Sequence, residues 1–324
     1  MISLSSVVIT RNEEKNIKSC LNALTKELSS CELLNDFEII VVDSNSSDKT
    51  IEIASNFKNI IIAKLESSNY YSAAMGRKVG AEIAKNDYIL FLDGDIELMQ
   101  GWLDIAIKIM IETNADGICG DLLDYKYYKN GTLVEKVKRY NVNQMEKARH
   151  IGGNILINRD KLITCGNYNP YIINNEEAEM YSRFMNFGFI LRIPYIMGVH
   201  HTDYVRSKQK IVNTLKMEVK RGRSLAFKNS FKNRSLKHLL WIYKDFFRTT
   251  VITILSIIVI PFGFYQPLQA LILLLVIHIL NFLIYCFKRK SIHFFIDNYL
   301  VLKFFIGLFQ PSDSFEYTYD FIKN

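Results

Sequence analysis

The sequence has 324 residues, of which 49% are hydrophobic and 13% aromatic, and its formal net charge is +7. The aromatic content and modest charge exclude a disordered chain, and 15 Gly with 5 Pro exclude a collagen-like fibre. Five scattered cysteines without a Cys-x-x-Cys pair argue against a disulfide scaffold and a zinc knuckle, and favour a reducing compartment.

The charge and the hydrophobicity are both unevenly distributed along the chain. Asp203–Arg248 contains 13 Lys and Arg against 3 Asp and Glu, a local charge of +10, so the rest of the chain sums to −3. Thr249–Phe287 follows without a charged residue over 39 positions. The composition therefore predicts a globular domain followed by a membrane region. The apolar start is interrupted at Arg11, the reverse of a signal peptide, so we expect this domain to stay in the cytoplasm.

The first 95 residues or so alternate between predicted strands and helices. The predicted elements, in chain order, are strand Ser5–Thr10, helix 13–28, strand Glu38–Val42, helix Ser47–Phe57, strand Asn59–Ala63, helix Ser72–Ala84 and strand Tyr88–Leu92. Strands separated by helices imply right-handed crossovers and an α/β fold with a mostly parallel sheet. In such sheets ligands bind beyond the carboxyl ends of the strands.

Acidic and small polar residues follow the predicted strands. The first strand leads into Thr10–Glu14, the second into Asp43–Thr50 and the fourth into Asp93-Gly94-Asp95. No G-x-G-x-x-G follows a strand and no G-x-x-x-x-G-K-[ST] is present, which argues against a dinucleotide fold and a P-loop ATPase. Two carboxylates flanking a glycine can hold a divalent cation that bridges a diphosphate leaving group. An acidic turn that caps the next helix is the alternative.

Five segments together resemble the family 2 glycosyltransferases, which have the GT-A fold. SVVITRNEEKNI, EIIVVDSNSSDKT and DYILFLDGDIEL match the family in order and spacing. GGNILINRDKLITCGNYN (152–169) is similar to the acceptor-side segment, and NNEEAEMYSRFMNFGF (174–189) resembles the E-D-x-D-L-x-x-R helix of the family. The resemblance implies a nucleotide-diphospho-sugar transferase domain over residues 1–205.

The resemblance also implies which residues bind the donor. Asp43 would hydrogen-bond the base, Asp93 would lie near the ribose and metal, and Asp95 would be the direct metal ligand. Arg11 stands where many members have Tyr, and a guanidinium can still stack on a base or contact phosphate. The predicted donor-binding set is Thr10, Arg11, Glu13, Asp43, Arg77, Asp93, Gly94 and Asp95.

Two further groups of residues belong to the predicted site. Glu176 and Glu177 open a helix, and in the family the second acid of this pair, here Glu177, deprotonates the acceptor. By themselves they also fit a pair of acids stabilised by the helix dipole. His200 and His201 match a position where the family often has a metal-binding His. We therefore predict that one of them joins Asp93 and Asp95 around Mn²⁺ or Mg²⁺.

The spacing of Glu179 and Arg183, four residues apart on the same helix, predicts a structural salt bridge.

The C-terminal third is predicted to associate with a membrane. Val251–Tyr265 and Leu268–Phe287 are each close to the length of a spanning helix, and together they predict a hairpin. Basic residues on both flanks place both ends, and the catalytic domain, in the cytoplasm. Residues 206–248 are predicted to be basic amphipathic helices on anionic lipid, a better fit than a nucleic-acid partner. Residues 288–324 are predicted to form an interfacial helix and an exposed tail.

The sequence thus predicts a membrane-bound inverting glycosyltransferase. Its partners would be a nucleotide-sugar donor, membrane lipid and a lipid-linked or cell-surface glycan acceptor. A polyprenyl-phosphate glycosyltransferase fits less well, because the Gln-rich, Pro-Pro segment expected after Asp95 is absent. A sugar nucleotidyltransferase requires a Gly-rich first loop, and Thr10–Asn16 contains no glycine. A non-catalytic membrane scaffold is the non-enzyme alternative.

Overall fold

The computed structural model describes residues 1–66, 71–128, 130–203, 222–287, 291–309 and 317–323. The chain divides into two compact units, one formed by Met1–Arg206 together with Ser312–Asn324 and the other by Ser207–Pro311.

The first unit is an α/β domain. Its strands are β1 (Ile2–Thr10), β2 (Leu34–Asp43), β3 (Ile60–Leu65), β4 (Tyr88–Asp93), β5 (Ile96–Leu98), β6 (Gly117–Tyr127), β7 (Leu133–Lys138), β8 (Glu146–Lys147), β9 (Ile155–Asn158), β10 (Ile190–Asp203) and β11 (Tyr319–Lys323). Its helices are α1 (Ile17–Ser30), α2 (Thr50–Ser55), α3 (Ala73–Ile83), α4 (Trp102–Thr113), α5 (Arg159–Thr164) and α6 (Glu176–Phe184).

The N-terminal half of the sheet has the predicted parallel arrangement. β1 lies between β2 and β4, both parallel to it, and β3 is parallel to β2. Each of these strands contains a continuous apolar run, as expected where helices connect the strands and cover the sheet. In α1, the residues Ile17, Leu21, Leu24 and Leu28 recur at helical spacing, and all four are buried in the core.

The complete sheet is mixed, so the prediction of a mostly parallel sheet is wrong. The strand order is β11-β3-β2-β1-β4-β9-β6-β10-β5, with β7 paired to β6 and β8 paired to β10. Antiparallel pairs join β9 to β4 and β6, β5 and β8 to β10, β7 to β6, and β11 to β3. Several strands after β4 are joined by turns rather than by helical crossovers, and short connections allow antiparallel pairing.

Residues 317–323, part of the predicted exposed tail, contain a β-strand, and three of the five side chains of this strand are exposed. β11 pairs with β3, and the backbone N–H of Glu66 donates to the carbonyl of Thr318 at 2.8 Å. The Lys323 ammonium donates to the carbonyl oxygens of Ser55, at 3.0 Å, and of Phe57. Without this segment β3 would present a row of unpaired backbone groups along its outer side, which pairing with β11 satisfies.

The second unit is helical in its described part. Its helices are α7 (Gly222–Lys232), α8 (Leu236–Ile242), α9 (Lys244–Phe262), α10 (Pro267–Phe287) and α11 (Ser291–Leu308). Aromatic side chains form its core, with Phe246 and Phe304 in edge-to-face contact at 5.6 Å between ring centroids. Such contacts stabilise a packed cluster beyond the apolar area that they bury.

In the described residues one helix is long and apolar enough to cross a membrane, which differs from the predicted pair of spans. This stretch is Pro267–Ile284 in α10, with a mean hydropathy of 2.3. The other predicted span falls largely in α9, whose first two turns carry Lys244, Asp245 and Arg248 and leave too short an apolar run. Residues 206–221 of the predicted basic amphipathic region lie outside the described residues.

Candidate active site

The carboxyl ends of β1, β2 and β4 bring three predicted residues to one edge of the sheet. Thr10 is paired with Asp43 across β1 and β2, and Ile9 with Asp93 across β1 and β4. The backbone N–H of Gly94 then donates to the carbonyl of Ile9 at 2.9 Å. The residues that follow β2 and β4 therefore lie on either side of those that follow β1, because β1 is the strand between β2 and β4.

A cavity of about 210 Å³ opens at this edge. It is lined by Ile9, Thr10, Arg11, Glu13, Ser44, Tyr71, Ser72, Ala73, Asp93, Gly94 and Asp95. All of the predicted donor-binding residues are present in this lining except Asp43 and Arg77.

Glycine at position 94 is needed for the close approach of the turn to β1. A Cβ atom there would lie 2.9 Å from the hydroxyl oxygen of Thr10 and 3.2 Å from the carbonyl oxygen of Ile9. The Thr10 hydroxyl is buried and has no hydrogen-bond partner in the part of the chain that the structure describes. A buried hydroxyl without a partner is costly, so its position in the cavity wall favours a polar ligand.

Asp43 is buried, and its carboxylate is hydrogen-bonded within the loop that follows β2. Its carboxylate accepts hydrogen bonds from the backbone N–H of Ser46 at 2.8 Å and from the Ser46 hydroxyl at 2.5 Å. Burial raises the pKa of Asp43, and the hydrogen bonds from Ser46 offset only part of that effect. Contact between Asp43 and a nucleotide base stays a prediction.

Arg11 is stacked on an aromatic ring that the sequence did not indicate. Its guanidinium lies 4.8 Å from the centroid of the Tyr71 ring, and both residues line the cavity. The Tyr71 hydroxyl accepts from the Asn45 side chain at 2.8 Å and donates to the carbonyl of Glu66 at 3.2 Å. Tyr71 therefore supplies an aromatic face near the position where the family often has Tyr in place of Arg11.

Asp93 is held by protein groups on both of its carboxylate oxygens. Arg77 donates to Oδ1 at 2.8 Å, and the Asn154 amide donates to Oδ2 at 3.0 Å. The Asn154 amide oxygen also accepts from the backbone N–H of Asp93 at 2.8 Å. Asn154 belongs to the predicted acceptor-side segment, but its contact with Asp93 depends on the pairing of β9 with β4.

Arg77 connects the cavity to the predicted catalytic carboxylates. Its guanidinium is buried, and Nη1 donates to Glu176 Oε1 at 3.1 Å and lies 3.7 Å from Glu177 Oε1. Nη2 is bound to Asp93, 16 residues away in sequence, whereas Glu176 is 99 residues away. Arg77 thus lies between the cavity and α6, and it does not line the cavity.

Glu176 and Glu177 differ in their surroundings. The Glu176 side chain is 8% exposed and that of Glu177 is 28% exposed. Burial, together with the neighbouring charge of Glu177, raises the pKa of Glu176 to about 8 even though Arg77 lowers it. Glu176 is therefore held in a buried contact with Arg77, and Glu177 is the more exposed of the pair, so Glu177 is the one that an acceptor hydroxyl can reach.

Asp95 differs from Asp93 in having a carboxylate oxygen without a partner. Its Oδ2 lies 3.0 Å from His200 Nε2, whereas its Oδ1 is buried without a hydrogen-bond partner among the described residues. Burial lowers the pKa of His200, but hydrogen bonds with Asp124 and Asp95 outweigh burial and raise it to about 9. The pair Asp95 and His200 therefore offers one uncompensated oxygen to a cation.

The structure distinguishes the two adjacent histidines. His201 lies on the opposite face of β10, where its Nδ1 is 3.0 Å from the Tyr127 hydroxyl and its Nε2 is 3.2 Å from Glu97 Oε1. Successive residues of a strand point to opposite faces, so only one of the two can face Asp95. Across the described ranges, no group of three or more His, Cys, Asp or Glu side chains is arranged to hold a metal ion.

The predicted salt bridge between Glu179 and Arg183 is confirmed. Arg183 donates from Nε to Glu179 Oε1 at 2.7 Å and from Nη2 to Oε2 at 2.8 Å, and the Glu179 side chain is fully buried. Arg183 also donates to the carbonyl of Asn167 at 2.6 Å. The pair joins α6 to the loop before it and has a structural role.

Gly153→Ala tests the tight packing around Arg77. A Cβ atom at Gly153 would lie 2.0 Å from Arg77 Nη2 and 3.1 Å from Asp93 Oδ2. Because Arg77 is buried among carboxylates, we expect the variant to lose about 1–3 kcal/mol of unfolding free energy, measured by urea denaturation. Equal stability of Gly153→Ala and the wild type would contradict the packing described here.

The sequence profile of Glycosyl transferase family 2 matches residues 5–174. The chain belongs to this family. The matched region includes the cavity residues on β1 and β4, the Asp43 loop and Arg77.

Individual relatives support the same family. Glycosyltransferase AglE of Haloferax volcanii is 26% identical over 208 residues, which cover 61% of this chain and 66% of AglE. The poly(ribitol-phosphate) β-N-acetylglucosaminyltransferase TarS of Staphylococcus aureus is 30% identical over 118 residues. That alignment covers 36% of this chain and 20% of TarS, so the chain spans less than two thirds of these relatives.

Solved structures show the same fold. The crystal structure of S. aureus TarS 1–349 matches with a TM-score of 0.52 and 18% sequence identity, covering 74% of this chain and 71% of that chain. The structure of the same TarS fragment in complex with UDP-GlcNAc also matches with a TM-score of 0.52. The expected GT-A type α/β fold is therefore confirmed, with the mixed sheet described above.

Proposed function

We propose that this protein is an inverting glycosyltransferase that moves a sugar from a nucleoside-diphosphate sugar to an acceptor hydroxyl. The observation that carries this proposal is the contact of Arg77 with both Asp93 and Glu176, which brings the donor cavity and a carboxylate pair together. The UDP-GlcNAc complex of TarS, a structure with the same fold, makes a UDP-sugar the first donor to test.

In the proposed reaction, some residues of the site bind the donor and another activates the acceptor. Thr10, Arg11 and Tyr71 would bind the nucleotide in the cavity, and Asp93 would lie beside the ribose. Glu177 would accept the proton of the acceptor hydroxyl as its oxygen attacks the anomeric carbon. In a single displacement the nucleophile and the diphosphate are on opposite sides of that carbon, so the configuration inverts.

Asp95 and His200 would hold a divalent cation, Mn²⁺ or Mg²⁺. The fit rests on the buried, unpartnered Oδ1 of Asp95, and His200 would add a nitrogen donor once it has released a proton on cation binding. When bound, such a cation stabilises the negative charge of a departing diphosphate. Both oxygens of Asp93 already accept hydrogen bonds, which makes it a support for the loop rather than the main ligand.

We further propose that the enzyme acts at the cytoplasmic face of a membrane on a lipid-linked or cell-surface glycan. The apolar helix α10 and the basic flanks of the uncharged region support membrane attachment with the basic side inward. A polymeric acceptor is consistent with the poly(ribitol-phosphate) acceptor named for TarS.

Nucleotide binding by the detergent-solubilised full chain tests the proposed function. UDP, GDP, dTDP and CMP are titrated by calorimetry with and without Mn²⁺. We expect one nucleoside diphosphate to bind, and to bind more tightly with the cation, because its phosphates and the unpartnered oxygen of Asp95 would share that cation. If none of the four binds under either condition, the proposal is wrong and a non-catalytic scaffold becomes the better explanation.

A further inference from the structure

Strand β11 is the point at which the chain returns to the α/β domain. In sequence, the helical unit lies between β10 and β11, because the α/β unit comprises Met1–Arg206 together with Ser312–Asn324. β11 is antiparallel to β3, with Tyr319 opposite Leu65. Since β3 is parallel to β2 and β2 to β1, the start of β11 lies at the carboxyl ends of these strands, the edge at which the donor cavity opens.

β11 holds the end of β3 beyond the point where the pairing of β3 with β2 stops. The β2–β3 register ends with Asp43 opposite Lys64, whereas the β3–β11 register continues to Leu65. The backbone N–H of Glu66 then donates to the carbonyl of Thr318 at 2.8 Å. The last residue of β3 and the residue after it are therefore fixed by a strand that is distant in sequence.

The backbone of Glu66 connects this pairing to the cavity wall. Its carbonyl accepts a hydrogen bond from the Tyr71 hydroxyl at 3.2 Å, and that hydroxyl accepts from the Asn45 side chain at 2.8 Å. Tyr71 lines the cavity, where the Arg11 guanidinium lies 4.8 Å from the centroid of its ring. Glu66 is thus bonded to β11 through its N–H and to the cavity wall through its C=O.

We propose that β11 is a positioning element for the donor cavity: through Glu66 it fixes the Tyr71 ring, and so it sets the affinity of the cavity for a nucleoside diphosphate. A ring that is already held in place loses less conformational entropy when a ligand packs against it. The proposal rests on the proposed function, in which Tyr71 binds the nucleotide.

A proline substitution at Asp320 interrupts the pairing of β11 with β3. Hydrogen-bonded pairs alternate along an antiparallel ladder, so the bond between Glu66 and Thr318 makes Asp320 and Lys64 the next pair that exchanges backbone hydrogen bonds. Proline has no N–H, so Asp320→Pro removes one of these bonds. The Asp320 side chain is exposed, so its replacement leaves the core intact.

Calorimetric titration of the full chain in detergent with UDP measures the effect, with GDP or dTDP in its place if the wild type prefers one of them. We expect Asp320→Pro to raise Kd about 3–10-fold, which corresponds to one aromatic contact. A Kd within twofold of the wild type would overturn the proposal.

Phe321→Pro is the matched control. Phe321 is opposite Ala63 in a pair that is not hydrogen-bonded, so its N–H points away from β3. We expect this variant to keep Kd within twofold of the wild type, and both proline variants to unfold at similar temperatures, because β11 is an edge strand. An equal loss of affinity in both variants would overturn the proposal, because the loss would not depend on pairing with β3.

Tyr71→Phe shows whether the effect passes through Glu66. Phenylalanine keeps the ring but lacks the hydroxyl that binds the Glu66 carbonyl. We expect this variant to weaken UDP binding about as much as Asp320→Pro does, and the double variant to lose no more than either single variant, because both changes break the same connection. Additive losses would overturn the positioning role.

Amide hydrogen exchange without nucleotide separates this inference from the proposed function. We expect the Glu66 amide to exchange faster in Asp320→Pro than in the wild type and in Phe321→Pro, because its bond to Thr318 is lost. Unchanged exchange would overturn the proposal whether or not a nucleotide binds. If the wild type binds none of the nucleotides, the proposed function fails. If it binds one and Asp320→Pro exchanges faster but binds as tightly, this inference fails alone and the donor assignment stands.

Discussion

Asp95→Asn is expected to reduce sugar transfer by about 10³-fold, the largest effect of any single change in the donor cavity. The buried Oδ1 of Asp95 has no partner in the described structure, and an amide cannot supply the same charge to a cation. A cation at a developing diphosphate stabilises the transition state by several kcal/mol, and about 4 kcal/mol corresponds to roughly 10³ in rate.

Steady-state transfer from a UDP-sugar, with Mn²⁺ varied, measures this effect. The control is Asp160→Asn, because Asp160 has the same chemistry but its side chain is 88% exposed on α5, outside the cavity lining. We expect the control to retain wild-type activity and both variants to unfold at similar temperatures. A loss of less than tenfold in Asp95→Asn would show that Asp95 does not hold the cation.

Glu177→Gln is expected to lower kcat by about 10²–10⁴-fold while donor binding is unchanged, because loss of a general base removes a contribution of this size. The Glu177 side chain is partly exposed and its Oε1 is 3.7 Å from Arg77, so it can reach an acceptor while it stays near the donor site. The amide of glutamine keeps the shape of the side chain but accepts no proton at neutral pH.

Glu176→Gln is the comparison for this prediction. Glu176 is nearly buried and accepts a hydrogen bond from Arg77, and glutamine keeps the shape of the side chain and can still accept that hydrogen bond. We therefore expect kcat at pH 7 to fall less than tenfold in this variant, measured in the same assay. If Glu176→Gln loses activity and Glu177→Gln retains it, the general base is Glu176 and the assignment moves by one residue.

The parallel half of the fold and most of the donor cavity were predictable because their signals are local. β1, β2 and β4 each contain a continuous apolar run near the carboxyl end, and polar residues follow each run directly. Once the strands are parallel and adjacent, the residues after them must meet, so Thr10, Asp93 and Asp95 could be placed together. The later strands carried no comparable signal, because β5, β8 and β9 have only two to four residues each.

Other members of the site could not be found in this way. Tyr71, Asp124 and Arg139 belong to no segment that resembled the family, and only strand register and loop packing bring them to the cavity or to His200. The choice between His200 and His201 also depended on the face of β10 that each occupies. Neither composition nor spacing contains that information, because adjacent residues differ only in the direction of their side chains.

The sequence by itself determined the family, the alternation of strands and helices, and the residue types of the candidate site, since each of these depends on short segments of chain. The tertiary structure decided that the sheet is mixed, that Arg77 joins Asp93 to Glu176, and that Glu176 is buried more deeply than Glu177. These features depend on contacts between distant segments and on the exclusion of water around them. Burial and neighbouring charge set the proton affinity of a carboxylate, and both arise only when the chain has folded.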